Sequence, residues 1–348
     1  MVRVGIAGIG FMGMIHYLSY AKVRGAKVVA MADCDRKKLS GDWRSIKGNF
    51  GPRGKRMDLK GIRTYDQTDD LLHDPEVDLV DVCLPPALHR DVTIAALRAG
   101  KHVFCEKPIA LQARDARQMV AAAERAGRQL CVGHVLPYFP EYSCIRDLAD
   151  SGKYGRLMGG SFKRVVSNPL WIANYFDADV IGGPMYDLHI HDAHFIRLMF
   201  GMPDRIFSAG RLQDDVAKYF TTQFLYDGNQ PVAVTATSGV IDQQGRSFTQ
   251  GFEIHFERAT VLFDFAVIRD KPVALSPLTV LDESGTAARP RLGSGDPLRA
   301  FEAELKDVTR AARQNRPAGM LDGTLARDAV VLCRKQLQSL QSGRVVRI

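Results

Sequence analysis

No C-x-x-C pair occurs among the six cysteines of this 348-residue chain, which argues against redox and zinc motifs built on that spacing. No run of 18 or more apolar residues occurs, so no membrane-spanning helix is expected. The N-terminus, Met-Val-Arg-Val-Gly-Ile, leads straight into a strand-like segment. The charged, apolar and cleavage regions of a secretory signal are missing. Helix-turn-helix patterns, zinc-finger spacings and RNA-binding aromatic patterns are absent as well, so nucleic acid is not expected as a partner. Neither repeats nor low-complexity tracts are found. Cys83, Cys105 and Cys131 lie in apolar strand-like runs, where cysteine packs as a small hydrophobe. A reduced, cytoplasmic setting is therefore expected.

What remains is the profile of a soluble globular protein, with 46% hydrophobic and 25% charged residues. The length suffices for two domains with full cores. Lys plus Arg number 47 against 39 Asp plus Glu, a net charge of +8. The excess is scattered, with one knot at Arg53, Lys55, Arg56 and Lys60. That knot reads either as a solvated basic loop or as a steering patch for phosphate.

Residues 1–130 alternate short apolar runs with helical patterns. Strands are expected at Val2–Ala7, Lys27–Ala32, Ile62–Tyr65, Leu79–Leu84, His102–Cys105 and Gln129–Val132. Helices are expected at Met12–Val23, His89–Ala99 and Ala113–Ala126, the last two closed by Gly100 and Gly127. Residues 48–61 read as a surface insertion. This βαβα order predicts a doubly wound parallel sheet, the fold class being α/β. Residues 131–348 change texture. Strands dominate from Leu157 to Phe265, interrupted by a helix at Tyr186–Phe200, with turn signals such as Asp227-Gly228-Asn229. Two helices, Leu298–Arg313 and about Asp322–Leu340, end the chain. The second domain is thus expected to be α+β on an open, mostly antiparallel sheet, its last helix able to pack back on the first domain. An open sheet face also suggests self-association.

Gly8-Ile9-Gly10-Phe11-Met12-Gly13 is G-x-G-x-x-G between a strand and a helix, the context that turns a weak motif into a dinucleotide site. Gly8 permits the turn, Gly10 lets a pyrophosphate approach, and Gly13 allows close helix–strand packing. The helix N-terminus adds partial positive charge. Asp33 stands 20 residues beyond Gly13, where a carboxylate can bind the adenosine ribose and repel a 2′-phosphate. NAD is the expected cofactor. Arg36, Lys37 and Lys38 follow and could cradle a 2′-phosphate, so NADP stays open. Asp35 could instead cap the next helix. Leu84-Pro85-Pro86 and His89 end another strand on the same edge and could line the cofactor. So could Glu106 and Lys107, in the run Gly100-Lys101-His102-Val103-Phe104-Cys105-Glu106-Lys107-Pro108. Pro108 keeps Lys107 in extended backbone just past a strand end, where ligands lie on an open parallel sheet.

A second polar cluster is Gly182-Gly183-Pro184-Met185-Tyr186-Asp187-Leu188-His189-Ile190-His191-Asp192-Ala193-His194. Asp187 and His191 stand at i and i+4 and would share a helix face. A carboxylate beside an imidazole can fix its tautomer and raise its basicity, as a general base requires. Two other readings compete: a metal site from Asp187, His191 and His194, and a helix cap with satisfied histidines. His189 and His194 read as structural.

Taken together, the glycine loop, the Ala-Gly-Lys-His-Val-Phe-Cys-Glu106-Lys107-Pro108 run and the Gly-Gly-x-x-x-Asp187-x-x-x-His191 run are similar to the family named for glucose–fructose oxidoreductase, inositol dehydrogenase and the rhizopine-catabolism oxidoreductases (Gfo/Idh/MocA). The resemblance spans most of the chain. It implies an N-terminal Rossmann domain, a C-terminal α/β domain and dimers or tetramers built through its sheet. It puts Lys107, Asp187 and His191 on the catalytic positions, for reversible hydride transfer between NAD(P) and a secondary alcohol or ketone of a sugar, inositol or related polyol, with no metal. Two other outcomes stay in view: a lyase that regenerates its NAD, and a non-catalytic NAD(P)-binding regulator. Substrate contacts are expected from Lys107, Asp187 and His191, joined by His134, Tyr138, Arg164, Asn168, Trp171, Asn174 and Tyr175. Pro137 stands where the family commonly has an arginine.

Overall fold

A computed structural model describes every residue except Asn49, residues 229–231 and Ser294; Asn229 of the expected turn lies outside the described residues. The chain divides into two compact units, 1–139 with 296–327, and 140–295 with 328–348. Among the described residues, no helix is long and apolar enough to cross a membrane.

The first stretch runs β1 (Val2–Ala7), α1 (Phe11–Tyr20), β2 (Ala26–Ala32), α2 (Arg36–Leu39), β3 (Arg63–Tyr65), α3 (Thr68–His73), β4 (Leu79–Val82), α4 (Pro86–Arg98), β5 (His102–Glu106), α5 (Ala113–Ala126) and β6 (Leu130–Gly133). The second runs α6 (Pro140–Ser151), β7 (Leu157–Ser167), α7 (Ile190–Phe200), β8 (Arg205–Gln213), β9 (Val216–Leu225), β10 (Ala233–Ile241), β11 (Arg246–Phe256), β12 (Ala259–Ile268), β13 (Lys271–Asp282) and β14 (Ala287–Ala288). The chain ends with α8 (Leu298–Gln314), α9 (Gly323–Ser342) and β15 (Val346–Arg347).

In the first unit six parallel strands lie in the order β3-β2-β1-β4-β5-β6. The central strands read as nearly unbroken apolar runs because helices cover both faces. Val4 pairs with Val28 on one side and Leu79 on the other, and Ile6 with Met31 and Asp81. The strand order reverses between β1 and β4, the switch point at which a ligand crevice opens. Helix α8 belongs here: Leu305, Val308, Ala311 and Ala312 join Met14, Tyr20 and Phe104 in one core. The described residues of 48–61 are exposed or half-buried, as a surface insertion requires. Trp43 is fully buried, edge-on to Tyr17 at 5.2 Å, and its indole N–H donates to the Lys38 carbonyl at 2.9 Å.

The second unit holds nine strands in the order β14-β13-β12-β11-β7-β10-β9-β8-β15. The sheet is antiparallel except where β10 runs parallel to β7. Helix α9 covers one face, where Thr222 donates to Gln336 at 2.8 Å and the Ser208 N–H to Ser339 Oγ at 2.9 Å. The alternation along β9 leaves Tyr219 exposed, as Phe207 is on β8. Strand β13 goes beyond the sequence expectation. Pro272 and Pro277 argue against a strand, but β13 pairs fully only with β12, and its other side meets just the two-residue β14.

Candidate active site

Each glycine of the loop after β1 has a distinct spatial reason. Gly8 sits at φ +98°, and a Cβ there would meet the Cys83 carbonyl oxygen at 2.5 Å. A Cβ on Gly13 would meet the Gly8 carbonyl oxygen at 2.0 Å. Around Gly10, by contrast, a Cβ would meet nothing within 4 Å. The backbone ahead of α1 is therefore open where a pyrophosphate would approach, and closed on the protein side. That is the cradle a dinucleotide needs. Phe11 opens α1 and meets Phe50 edge-on at 4.9 Å, with the half-buried Met12 beside it.

Asp33 follows β2 and turns back to this loop. Its Oδ2 accepts from the Ile9 N–H at 2.7 Å and its Oδ1 from the Asp35 N–H at 2.8 Å. Each carboxylate oxygen keeps a second lone pair for a ribose hydroxyl. Two of the three neighbouring cations are matched: Lys38 lies 3.5 Å from Asp33, and Arg36 pairs with Asp66 at 3.0 Å. Asp35 caps α2 through the Lys37 N–H. This pairing favours NAD over a phosphate-bearing cofactor.

The ends of β4 and β5 share the sheet edge with the glycine loop. Pro85 caps α4, with Pro86 at its first position. Leu84 packs near Gly8. Glu106 closes β5, and its Oε2 accepts from the Lys107 N–H at 3.1 Å. Lys107 is half-buried directly beyond the strand. His89 does not present its ring to the crevice. It is fully buried, with Nδ1 at 2.8 Å from the Pro108 carbonyl and Nε2 at 2.7 Å from the Leu84 carbonyl. This corrects its assignment as a cofactor contact: two backbone carbonyls occupy both ring nitrogens.

Beneath this edge lies a buried ionisable cluster that the sequence reading did not identify. His16 Nδ1 on α1 lies 2.9 Å from Asp81 and 3.3 Å from the Cys83 sulfur, and its Nε2 lies 3.2 Å from Glu106. Burial works against the charged imidazole, but Asp81 and Cys83 outweigh it and hold His16 well above the ordinary histidine value. Glu304 on α8 is fully buried, and burial, then the nearby Glu106 carboxylate, push it well above the ordinary carboxylate value. The readable signal was Asp81, a carboxylate in the otherwise apolar strand Leu79–Val82. Among the described residues, His16, Asp81 and Cys83 are the set whose ligand atoms come within 4.8 Å of one another.

In the second unit, Asp187 and His191 sit where the helix geometry changes. Met185–His189 forms a π-helical turn, and α7 begins at Ile190. Such widened turns are frequent at functional sites. The sequence reading expected one continuous helix from Tyr186. Gly183, at φ +63°, shapes the entry, and a Cβ there would strike Val216 at 2.4 Å. Asp187 and His191 are half-buried, whereas Met185, Tyr186, His189, Ile190 and His194 are buried. The pair thus lies on the more open stripe. Burial and the neighbouring Asp187 carboxylate push the Tyr175 phenol up.

The remaining expected contacts divide. Trp171 is 72% exposed on the segment after β7, and Asn168 is half-buried there. His134 and Tyr175 are buried. The Tyr138 hydroxyl donates to Asp307 at 3.0 Å. Arg164 is corrected: its guanidinium is 5% exposed and turns into the unit, donating to Asp192 at 2.8 and 3.1 Å and to Gln250 at 2.8 Å. A buried carboxylate, Asp192, draws it inward.

His189 predicts a pH effect. Burial pulls its imidazole from 6.5 down to about 4. Between those values the unfolded chain binds a proton that the folded chain does not, so stability falls as pH falls through this window. The full loss is about 3 kcal/mol. Urea unfolding of the wild type and His189→Gln at pH 7 and pH 4.5 checks it; an equal loss in both would remove His189 as the cause.

Comparison with known proteins bears on the whole arrangement. Residues 2–134 match the model described as "Oxidoreductase family, NAD-binding Rossmann fold", and residues 142–262 match the GFO/IDH/MocA C-terminal domain. A 1,5-anhydro-D-fructose reductase of Ensifer adhaerens is 31% identical over 257 residues, 70% of this chain and 72% of that protein. An uncharacterised oxidoreductase of Rhizobium meliloti is 32% identical over 61% of this chain, and the match spans only 60% of that relative. An inositol 2-dehydrogenase/D-chiro-inositol 3-dehydrogenase of Lactiplantibacillus plantarum is 33% identical over 45% of this chain and 42% of its own length. Among solved structures, levoglucosan dehydrogenase in complex with NADH has a TM-score of 0.78 at 18% identity, covering 100% of this chain and 99% of that one. A probable dehydrogenase from Thermotoga maritima has a TM-score of 0.77 at 20% identity, covering 99% and 98%. At these identities the solved structures speak to the fold, while the domain matches and the Ensifer relative speak to descent: the chain belongs to the Gfo/Idh/MocA oxidoreductase family, with an NAD-binding Rossmann domain.

Proposed function

We propose that this protein transfers a hydride between NAD and a secondary alcohol or ketone carbon of a sugar, inositol or related polyol. The observation that carries this reading is Lys107, an ammonium-bearing side chain fixed directly beyond β5, on the same sheet edge as the open glycine loop. A nicotinamide, when bound, supplies the hydride acceptor or donor. Lys107 donates a hydrogen bond to the reacting oxygen and stabilises the negative charge that develops there. His191 accepts the hydroxyl proton during oxidation and returns it during reduction. Asp187 orients the imidazole and supports its charged form. Trp171 and Asn168 supply an aromatic face and an amide for a polyhydroxylated ring. The relatives' names, an anhydrofructose reductase and an inositol dehydrogenase, support the substrate class. The exposed Phe207, Tyr219 and Leu281 on the nine-stranded sheet support a homo-oligomer formed through that face.

The test is a panel of inositols, aldoses, ketoses and sugar acids with NAD and with NADP, followed by nicotinamide absorbance. Stoichiometric absorbance change with at least one polyol, faster with NAD, is expected. Product formed without net absorbance change would move the protein to the lyase reading, and no turnover or cofactor binding across the panel would sink the proposal.

A further inference from the structure

If Lys107 binds the reacting oxygen, the backbone corner that carries it must hold its position. Glu106 fixes the Lys107 N–H. Pro108, the next residue, has no N–H to anchor, so its carbonyl is the remaining handle on the corner. That carbonyl lies 2.8 Å from His89 Nδ1, and the other ring nitrogen lies 2.7 Å from the Leu84 carbonyl. Leu84 in turn packs beside Gly8. One imidazole therefore ties together the segments that follow β4 and β5, next to the glycine loop.

We infer that His89 is a positioning residue for the proposed hydride transfer: both ring nitrogens donate, to the Pro108 and Leu84 carbonyls, and lock the Lys107-Pro108 corner to the segment after β4. This rests on the reading of Lys107 as the group that binds the reacting oxygen. A carbonyl oxygen only accepts, and a neutral imidazole carries one N–H. In the neutral ring one nitrogen lone pair would face an oxygen lone pair across a gap of 2.7 or 2.8 Å. His89 is fully buried, so no water separates them. An unsatisfied polar contact of that kind is costly in an interior. Burial pulls the ring below the ordinary histidine value, Lys107 adds to that, and the two carbonyls and the Glu106 carboxylate oppose it. The two short contacts decide the balance, because only the doubly protonated ring satisfies both.

The protonation is read directly in wild-type protein labelled with 15N-histidine, using a long-range proton–nitrogen spectrum at pH 7. The His89 signals are identified by their loss in His89→Gln. Both nitrogens are expected to carry protons. The positioning role is read by kinetics. His89→Gln keeps one donor nitrogen and His89→Leu keeps none, so kcat at saturating NAD should fall in that order, by about a hundredfold in the leucine variant. The dissociation constant for NAD should stay near wild type. An unprotonated His89 nitrogen at pH 7 overturns the two-donor clamp. A leucine variant with wild-type kcat, or one in which kcat and NAD affinity fall together with melting temperature, overturns the positioning role. Should His89→Leu not fold, the glutamine variant carries the same comparison. Failure of the Lys107 reading would appear instead as wild-type turnover in Lys107→Ala, failure of the hydride-transfer reading as no turnover of any panel substrate by the wild type, and the nitrogen spectrum does not depend on turnover.

Discussion

Lys107→Ala is expected to lower kcat by about a thousandfold, with NAD binding close to wild type. The two halves of this expectation have separate physical origins. Affinity for the dinucleotide comes from the open backbone at Gly10, the N-terminus of α1 and the Asp33 carboxylate anchored on the Ile9 and Asp35 N–H groups. Turnover, by contrast, needs a donor aimed at the oxygen whose charge changes in the transition state, and alanine removes it without disturbing the Glu106 bond to the residue 107 backbone. Quenching of protein fluorescence by NADH would report binding, and nicotinamide absorbance would report turnover. A variant that binds NADH normally and oxidises substrate at the wild-type rate would strip Lys107 of its role. A variant that loses both would make the residue part of the cofactor site only.

The same residues show why some of the molecule could be read in advance and some could not. The glycine loop and the Lys-Pro step were legible because their constraints are local. A Cβ on Gly13 would strike the Gly8 carbonyl oxygen at 2.0 Å, and Gly8 sits at φ +98°, so both positions are held to glycine within the loop itself. Asp35 declared itself as a cap for the same reason. What stayed hidden depends on partners distant in sequence. His16 meets Asp81 and Cys83 across 65 and 67 positions, and a helix pattern cannot say which strand its polar face will meet. The family resemblance offers Arg164 as a substrate contact but says nothing of what its guanidinium meets inside the unit. That guanidinium is buried only because Asp192, 28 residues on, arrives beneath it. The π-helical turn at Met185–His189 adds a residue to one turn without altering composition. Residue spacing near Asp187 and His191 gave no sign of it. Trp43 follows the same logic: nothing in the residues around it says that it will meet Tyr17 on α1.

Asp192→Asn is expected to destabilise the protein by about 3–5 kcal/mol, the range for breaking one side of a buried ion pair. Asp192 is 1% exposed and Arg164 5%. The carboxylate takes two hydrogen bonds from the guanidinium, at 2.8 and 3.1 Å, while Gln250 and the Tyr142 hydroxyl hold the rest of the fork. Burial opposes the Arg164 charge, and Asp192 more than compensates. Asparagine keeps the size and one carbonyl acceptor but removes the countercharge, and arginine cannot shed its proton to adapt. The strain falls on the junction between α7 and β7, where Tyr142, Phe195 and Phe252 pack edge to face. Because α7 also carries His191, the loss should lower activity through the fold rather than the chemistry, and activity per folded molecule should fall less than stability does. Replacing both partners with apolar residues of similar size, Arg164→Met with Asp192→Leu, should cost less than Asp192→Asn alone, since no charge is left unpaired. Urea titrations of the two variants decide the matter. A double variant less stable than the single one would mean that the pair itself, and not the orphaned guanidinium, sets the energy of this core.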